Sequence, residues 1–150
     1  MTDWIRLTAP AAAVIAIAGP AYAVQYLSVE EAQKLAFPSA RFTEMQGGRV
    51  WKASSGGIFV LDHVIGKHLY IDYAVSLVGG RVHRVDILAY RESYGGEVRS
   101  PSWLAQFVGK TAASPLKVGG DIRNISGATL SSLHVTEGVK RILAAYGGLR

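Results

Sequence analysis

Apolar and polar residues alternate along the middle of the chain, which is the pattern of strands that bury one face. Three strand-like runs lie there, over residues 58–65, 69–78 and 82–90, and the second alternates well. One face of the second run holds Leu69, Ile71, Tyr73, Val75 and Leu77. Gly79-Gly80 predicts a two-residue hairpin between the second and third runs, and Gly66-Lys67 predicts a similar turn between the first two. The pattern therefore predicts an antiparallel meander.

Helical signals lie on both sides of this meander. Ser28 and Glu31 form a capping box, so we expect a short helix over Val29–Ala36. One or two helical turns are predicted over residues 101–108. Residues 37–48 are predicted to form an irregular connection or a short strand around Phe42. An amphipathic helix is predicted over Thr129–Tyr146, with an apolar stripe of Leu130, Leu133, Val139, Ile142, Leu143 and Tyr146. The predicted fold class is α+β, an antiparallel β-meander packed with a C-terminal amphipathic helix and short helices.

Residues 1–23 have the pattern of a secretory signal peptide. Arg6 supplies a short positive region, residues 11–18 are apolar, and Ala21-Tyr22-Ala23 is a small-x-small cleavage site. The alternative is an uncleaved membrane anchor, although a helix needs about 20 apolar residues to cross a bilayer. Residues 24–150 are then one domain. Under both interpretations this domain is expected in the periplasm, or attached to a membrane on its extracytoplasmic side.

Composition limits the possible chemistry. The chain of 150 residues has no cysteine, which excludes disulfides, thiolate metal sites and a cysteine nucleophile. Its net charge is +5, but the lysines and arginines are scattered, so nucleic acid is not expected as a partner. The 4 histidines lack the spacing of metal ligands, and no Ser-His-Asp order or pair of carboxylates indicates hydrolysis. We therefore predict no metal site and no catalytic residue.

The segment Ser126-Gly127-Ala128-Thr129 leads into the C-terminal helix. The free amides of a first helical turn and the helix dipole favour an anion at this end, and a glycine lets the backbone approach a phosphate closely. The same residues are also compatible with ordinary capping of the helix by a hydroxyl, which needs no ligand. Local physics leaves both interpretations open.

Ser-Gly-Ala-Thr followed by Leu130-Ser131-Ser132 resembles the flavinylation motif of the FMN-binding-domain family, which includes the C subunit of sodium-translocating quinone reductase and the G subunit of Rnf complexes. Upstream, residues 90–97 resemble the family's Glu-Thr-Pro-Gly-Leu-Gly segment, and residues 102–110 resemble the short helix and Phe-x-Gly-Lys that follow it. The resemblance implies FMN as the cofactor, joined by a phosphoester bond to Thr129. It also implies a flavin transferase as a maturation partner, which uses FAD and a divalent cation.

Neighbouring residues acquire roles by the same resemblance. Backbone amides of Ser126, Gly127 and Ala128 would cradle the phosphate, and Lys110 would supply further positive charge. An attached phosphate keeps about one negative charge, of which the helix start offsets about half. The alternative for Lys110 is a solvated surface lysine.

The resemblance also suggests contacts for the rest of the flavin. Glu92 would hydrogen-bond the ribityl chain or the ring, and Trp103, Tyr90 and Tyr94 would stack on the isoalloxazine. The alternatives are a strand-end charge for Glu92 and core packing for the aromatic residues. The chemistry would belong to the flavin, while the protein binds, orients and tunes it.

The predicted function is an exported FMN electron carrier in a membrane-associated redox chain, with a membrane quinone or a cytochrome as partner. Arg123 stands where the flavinylation motif usually has Asp, six residues before the acceptor. This substitution motivates a second hypothesis, a module that binds FMN or a partner without a covalent bond. A third hypothesis, a flavin enzyme with its own small substrate, is less favoured than an electron-transfer protein because no substrate pocket is recognisable.

Overall fold

The computed structural model describes residues 24–149, so the predicted signal segment lies outside the described residues. Its six strands are β1 (Val24–Gln25), β2 (Phe42–Gln46), β3 (Val50–Ala53), β4 (Ile58–Ile65), β5 (Tyr70–Val78) and β6 (Arg81–Tyr90). They form one antiparallel sheet in the order β1-β6-β5-β4-β3-β2. The predicted meander is confirmed as β4, β5 and β6, which pair in sequence order.

The hairpin between β5 and β6 matches its prediction. Val78 pairs with Arg81, so Gly79-Gly80 is the whole loop. The two glycines have φ of +59° and +78°, which a tight hairpin with the right-handed twist of its strands requires. Glycine is therefore needed here for its backbone freedom.

The turn between β4 and β5 is longer than predicted. Ile65 pairs with Tyr70, so residues 66–69 form a four-residue loop and the predicted two-residue turn at Gly66-Lys67 is wrong. Leu69 consequently lies in the loop, 46% exposed, and not on the buried face of the strand. The physical reason lies elsewhere in the chain, because the carboxylate of Glu92 binds three amides of this loop.

The edge strands were harder to predict than the meander. β2 lies around Phe42, where a short strand was one of two expectations, but β1 and β3 were not predicted. β3 pairs with β4, with Trp51 opposite Phe59, and β1 pairs with Tyr90 and Ala89 of β6. Strands this short have too few positions to display alternation, so their pairing with a long neighbour determines them.

In the described part of the chain, three helices pack on the sheet: α1 (Val29–Ala36), α2 (Pro101–Leu104) and α3 (Thr129–Tyr146), with 3-10 turns at Gly96–Arg99 and Ala105–Phe107. The predicted bounds of α1 and α3 are confirmed. α1 covers one face of the sheet, while α2 and α3 cover the other. None of the helices found in residues 24–149 is both long and apolar enough to span a membrane. The α+β fold class is therefore confirmed.

The buried side of α3 differs from the predicted stripe near the start of the helix. Val139, Ile142 and Leu143 are buried as expected, but Leu130 and Leu133 are 44% and 36% exposed. The residues buried in the first three turns are Ser131, Ser132, Val135, Thr136 and Gly138. The prediction of a leucine-lined first turn is therefore wrong.

Close packing explains why this buried side is made of small residues. A Cβ on Gly138 would overlap the hydroxyl of the buried Tyr73 of β5, so the helix backbone lies directly on the sheet. The hydroxyls of Ser132 and Thr136 donate to the carbonyl oxygens of Ala128 and Ser132 at 2.8 and 2.7 Å. These bonds satisfy the buried hydroxyls within the helix itself.

Candidate functional site

Helix α3 begins without a side-chain cap. Its N-cap residue, Ala128, has no polar side chain, and within residues 24–149 no side-chain hydrogen bond caps the first turn. Thr129, the first helical residue, is exposed, as is Ser126 three residues earlier. The first-turn amides and the positive end of the helix dipole are therefore open to an acceptor from outside the chain.

Gly127 shapes the approach to this helix start. Its φ of +84° is left-handed, a conformation that costs a residue with a Cβ about 1–2 kcal/mol. A Cβ placed on Gly127 would meet nothing within 4 Å, so the space around it is open. The amide of Ala128 donates to the carbonyl oxygen of Ile125 at 2.9 Å and is thus used in the turn. The amides left for a phosphate are those of the first helical turn rather than that of Ala128.

The loop after β6 packs against the same helix start. The hydroxyl of Tyr90 donates to the carbonyl oxygen of Tyr94 and lies 3.2 Å from Ser131 Oγ of α3. Burial raises the pKa of Tyr90, so the phenol remains a neutral donor. A Cβ on Gly95 would overlap the Tyr90 hydroxyl and lie 3.0 Å from Ser131 Oγ and 3.6 Å from the Ala128 Cβ. The fold thus brings the upstream motif into contact with the segment before Thr129.

A cavity of about 390 Å³ lies beside this contact, lined by residues 67–69 and 91–94. Leu69 and Tyr94, the latter 84% exposed, contribute apolar surface. Tyr94 directly precedes Gly95, where an added Cβ would lie 3.6 Å from the Ala128 Cβ, and Ala128 directly precedes Thr129. The loop after β6 therefore links the cavity, through Tyr94 and Gly95, to the start of α3.

Glu92 lies in one wall of the cavity. Its Oε2 accepts from the amide of Lys67 at 2.6 Å, and its Oε1 accepts from the amides of His68 and Leu69 at 2.6 and 3.3 Å. Burial alone would raise the pKa of this carboxyl, but the three amide bonds and the neighbouring His68 lower it below its ordinary value. Glu92 is therefore an anion whose two oxygens are engaged by the loop of residues 66–69.

Trp103 lies in the core and is 3% exposed, with its ring edge-on to Phe107. Its Nε1 donates to the carbonyl oxygen of Arg123 at 2.7 Å. Gln106 Oε1 accepts from the Arg123 amide at 2.8 Å, so both backbone groups of Arg123 are held. Trp103 therefore supports the segment that leads to Ser126.

Lys110 forms an ion pair. Its Nζ lies 3.2 Å from Oδ2 of Asp121, which also accepts from the amide of Leu116, while Oδ1 accepts from that of Lys117. The pKa of Asp121 is lowered to about 2, mainly by the hydrogen bond from the Lys117 amide. The hydrogen bond from the Leu116 amide and the charge of Lys110 lower it further, whereas burial opposes the shift. The ammonium group of Lys110 is thus paired with the carboxylate of Asp121, which lies in the loop before the start of α3.

Sequence reasoning missed two residues that organise the site. His134 Nδ1 lies 2.7 Å from the carbonyl oxygen of Ile65 and 3.0 Å from that of Gly66, so it joins α3 to the loop of the cavity. Gln106 holds Arg123, as described above. The partners of His134 are 68 and 69 residues away in sequence, and no local pattern predicts them.

The family model of the FMN-binding domain matches residues 66–144, which is more than half of the 150-residue chain. The chain belongs to the FMN-binding-domain family. The matched range contains the loop of residues 66–69, the loop after β6 and the start of α3, so the family match and the site coincide. No curated protein matches the chain.

The residues of this FMN-binding-domain protein fit its cofactor. The uncapped first turn of α3 suits a phosphate, because its amides and dipole favour an anion. The adjacent cavity, about 390 Å³, falls within the usual size of cofactor pockets. The protein is therefore a flavin-binding protein whose cofactor is FMN.

Proposed function

We propose that this protein carries FMN covalently, through a phosphoester bond to Thr129 Oγ1. The observation that supports this most directly is the exposed hydroxyl of Thr129 at an uncapped helix start, next to the open space at Gly127. In the attachment step the threonine oxygen bonds to the phosphorus of the FMN half of FAD, the pyrophosphate bond breaks, and AMP leaves, formally with the hydroxyl proton. A flavin transferase with a divalent cation would catalyse this step.

The isoalloxazine ring would occupy the cavity beside the helix start. Leu69 and Tyr94 offer apolar surface to its faces, and Lys67 places a cation in the wall. FMN supplies transfer of electrons singly or in pairs when bound. The residues of this chain would bind it, orient it and tune its affinity for electrons.

The proposed role is electron transfer between partners outside the cytoplasm. Ile65, directly before the loop of residues 66–69, and Leu130 and Leu133, in the first two turns of α3, are exposed apolar residues. Exposed apolar residues of this kind suit the docking of a redox partner. A membrane quinone or a cytochrome would be that partner. Covalent attachment would keep the site filled where free flavin is scarce, because a non-covalent site empties when the ligand concentration falls below Kd.

Intact-mass analysis of protein that has been coexpressed with a flavin transferase and exported tests the covalent bond. We expect a mass increase equal to FMN less one water, together with yellow colour, and loss of both in Thr129→Ala. Ser126→Ala is the matched control, because it removes a second exposed hydroxyl three residues away and should retain the added mass. Native protein without the added mass, or a Thr129→Ala variant that keeps it, would contradict the proposal.

A second candidate is non-covalent binding of FMN in the same site. Arg123 favours it, because an exposed guanidinium, with Nε 3.3 Å from Gln106 Oε1, stands where the flavinylation motif usually has a carboxylate. Under this alternative, dialysis removes FMN from the wild-type protein. Thr129→Ala then leaves the Kd for FMN unchanged.

A further inference from the structure

We infer, on the basis of the proposed function, that Glu92 is a positioning residue, which fixes the loop of residues 66–69 as a wall of the flavin cavity without forming a hydrogen bond to FMN. Sequence resemblance suggested a direct contact between Glu92 and the flavin. The contacts of the carboxylate support an indirect role.

Both oxygens of Glu92 are engaged by the protein. They accept from three successive amides of the loop, those of Lys67, His68 and Leu69, at 2.6 to 3.3 Å. Since a carboxylate offers about four acceptor positions, little capacity remains for a ligand. The loop also approaches very closely, because a Cβ on Gly66 would lie 2.5 Å from Oε2. The loop amides thus donate to the Glu92 carboxylate, whereas in a tight hairpin they would donate to backbone carbonyl oxygens of the opposite strand.

A second anchor holds the same loop from α3. His134 Nδ1 lies within hydrogen-bond distance of the carbonyl oxygens of Ile65 and Gly66. Because both partners are acceptors, Nδ1 must carry the proton. Within the loop, the amide of Gly66 donates to the carbonyl oxygen of Leu69 at 2.8 Å. The loop is therefore fixed relative to β6 by Glu92 and relative to the helix of Thr129 by His134.

This double anchoring determines what the loop presents to the cavity. Three of its four amides are engaged by Glu92 and the fourth by the Leu69 carbonyl oxygen, so the side chains of Lys67 and Leu69 are left to bound the space proposed for the flavin ring. A cation held near the ring favours the cofactor state that carries more negative charge. Loosening the loop would move Lys67 and thereby change the midpoint potential of the flavin.

Glu92→Gln in the flavin-loaded, full-length protein tests this role. The substitution keeps the size of the side chain but replaces one acceptor oxygen by an NH₂ group, which faces a backbone donor. We expect the flavin mass to be retained, the amides of residues 67–69 to exchange hydrogen about tenfold faster, and the midpoint potential to shift. Glu97→Gln is the matched control, because the Glu97 carboxylate makes no hydrogen bond to residues 24–149, and it should change none of the three.

A flavin-free background separates the positioning role from direct contact. In Thr129→Ala protein without flavin, Glu92→Gln should still accelerate exchange at residues 67–69, whereas a direct contact with FMN predicts acceleration only when flavin is present. Glu92→Asp restores the carboxylate one methylene further from the loop, and we expect exchange rates between those of wild type and Glu92→Gln. Unchanged exchange in the flavin-free protein, or a shifted potential without faster exchange, would overturn the inference. Absence of flavin from the wild-type protein would instead overturn the proposed function.

Discussion

The two longest helices in residues 24–149 begin in opposite ways. At the start of α1, Ser28 Oγ accepts from the amide of Glu31 at 3.1 Å, and the Glu31 carboxylate accepts from the amide of Ser28 at 3.2 Å. At the start of α3, Ala128 provides no side-chain cap, and the preceding Gly127 is left-handed. The difference teaches that the chain satisfies one helix start with its own side chains and leaves the other available to a ligand.

The largest expected effect concerns the support of the open helix start. Gly95→Ala should lower the free energy of unfolding by about 2–4 kcal/mol, because its φ is +84° and its Cβ would overlap the Tyr90 hydroxyl. Flavin attachment should fall with it, since the loop would be pushed away from Ala128. Urea denaturation and intact mass measure the two effects.

The neighbouring glycine is the control for this substitution. Gly96→Ala introduces a Cβ with nothing within 4 Å and should change the free energy of unfolding by less than about 0.5 kcal/mol. Equal effects of the two substitutions would show that the loop does not depend on its contact with α3.

A smaller effect is expected from the backbone of the open start itself. Gly127→Ala should cost about 1–2 kcal/mol of unfolding free energy, because φ is +84° while the space around the Cβ is open. Gly127→Asn should cost less, because asparagine tolerates the left-handed region better than alanine does. If the two variants were equally stable, left-handed strain would not be the reason for glycine at this position.

A pair of hydroxyl deletions tests the comparison directly. Ser28→Ala should lower the free energy of unfolding by about 1 kcal/mol and leave the flavin mass unchanged, because its hydroxyl caps α1. In flavin-free protein, Thr129→Ala should change stability by less than about 0.5 kcal/mol, since this exposed hydroxyl caps nothing. A costly Thr129→Ala in the absence of flavin would mean that α3 is capped after all.

The smallest expected effect is a loss of unfolding free energy in acid, through the loop that precedes the start of α3. The pKa of Asp121 is lowered from 3.8 to about 2 in the folded protein, so its ionised form stabilises the fold above pH 3.8, and this contribution is lost as pH falls towards 2. Asp121→Asn should therefore flatten the dependence of unfolding free energy on pH in that window. Urea denaturation at several pH values measures the slope, and identical slopes for both proteins would argue against the role of this carboxylate.

Local signals predicted those parts of the fold that depend on local interactions. The start of α1 follows from the capping box, and the three central strands follow from apolar runs of eight to ten residues, the second of which alternates. The four-residue loop between β4 and β5 depends on Glu92, more than 20 residues away, and alternation carries no information about that contact. The buried face of α3 likewise depends on the approach of Tyr73 to Gly138.

The candidate site likewise has parts that local sequence signals predict and parts that depend on contacts distant in sequence. The position of Ser126–Thr129 at a helix start could be predicted from glycine and the periodic helix that follows. The partners of Trp103 and Lys110 could not, because the Arg123 carbonyl and the Asp121 carboxylate reach them through loop geometry. The prediction of FMN came from the family resemblance, because a helix start favours any anion and does not distinguish one from another.

The close packing of α3 on the sheet has a consequence for the rate at which electrons would pass between the proposed flavin and its partner. Gly138 lies against the hydroxyl of Tyr73, which donates to Asp62 at 2.7 Å, so the helix cannot slide without breaking a buried contact. A cofactor joined to the first residue of such a helix would be mounted on a rigid support. Little nuclear rearrangement would then accompany each change of charge, and a small reorganisation keeps the barrier to electron transfer low. A glycine about two and a half turns from the attachment point would thus help to set the speed of the reaction.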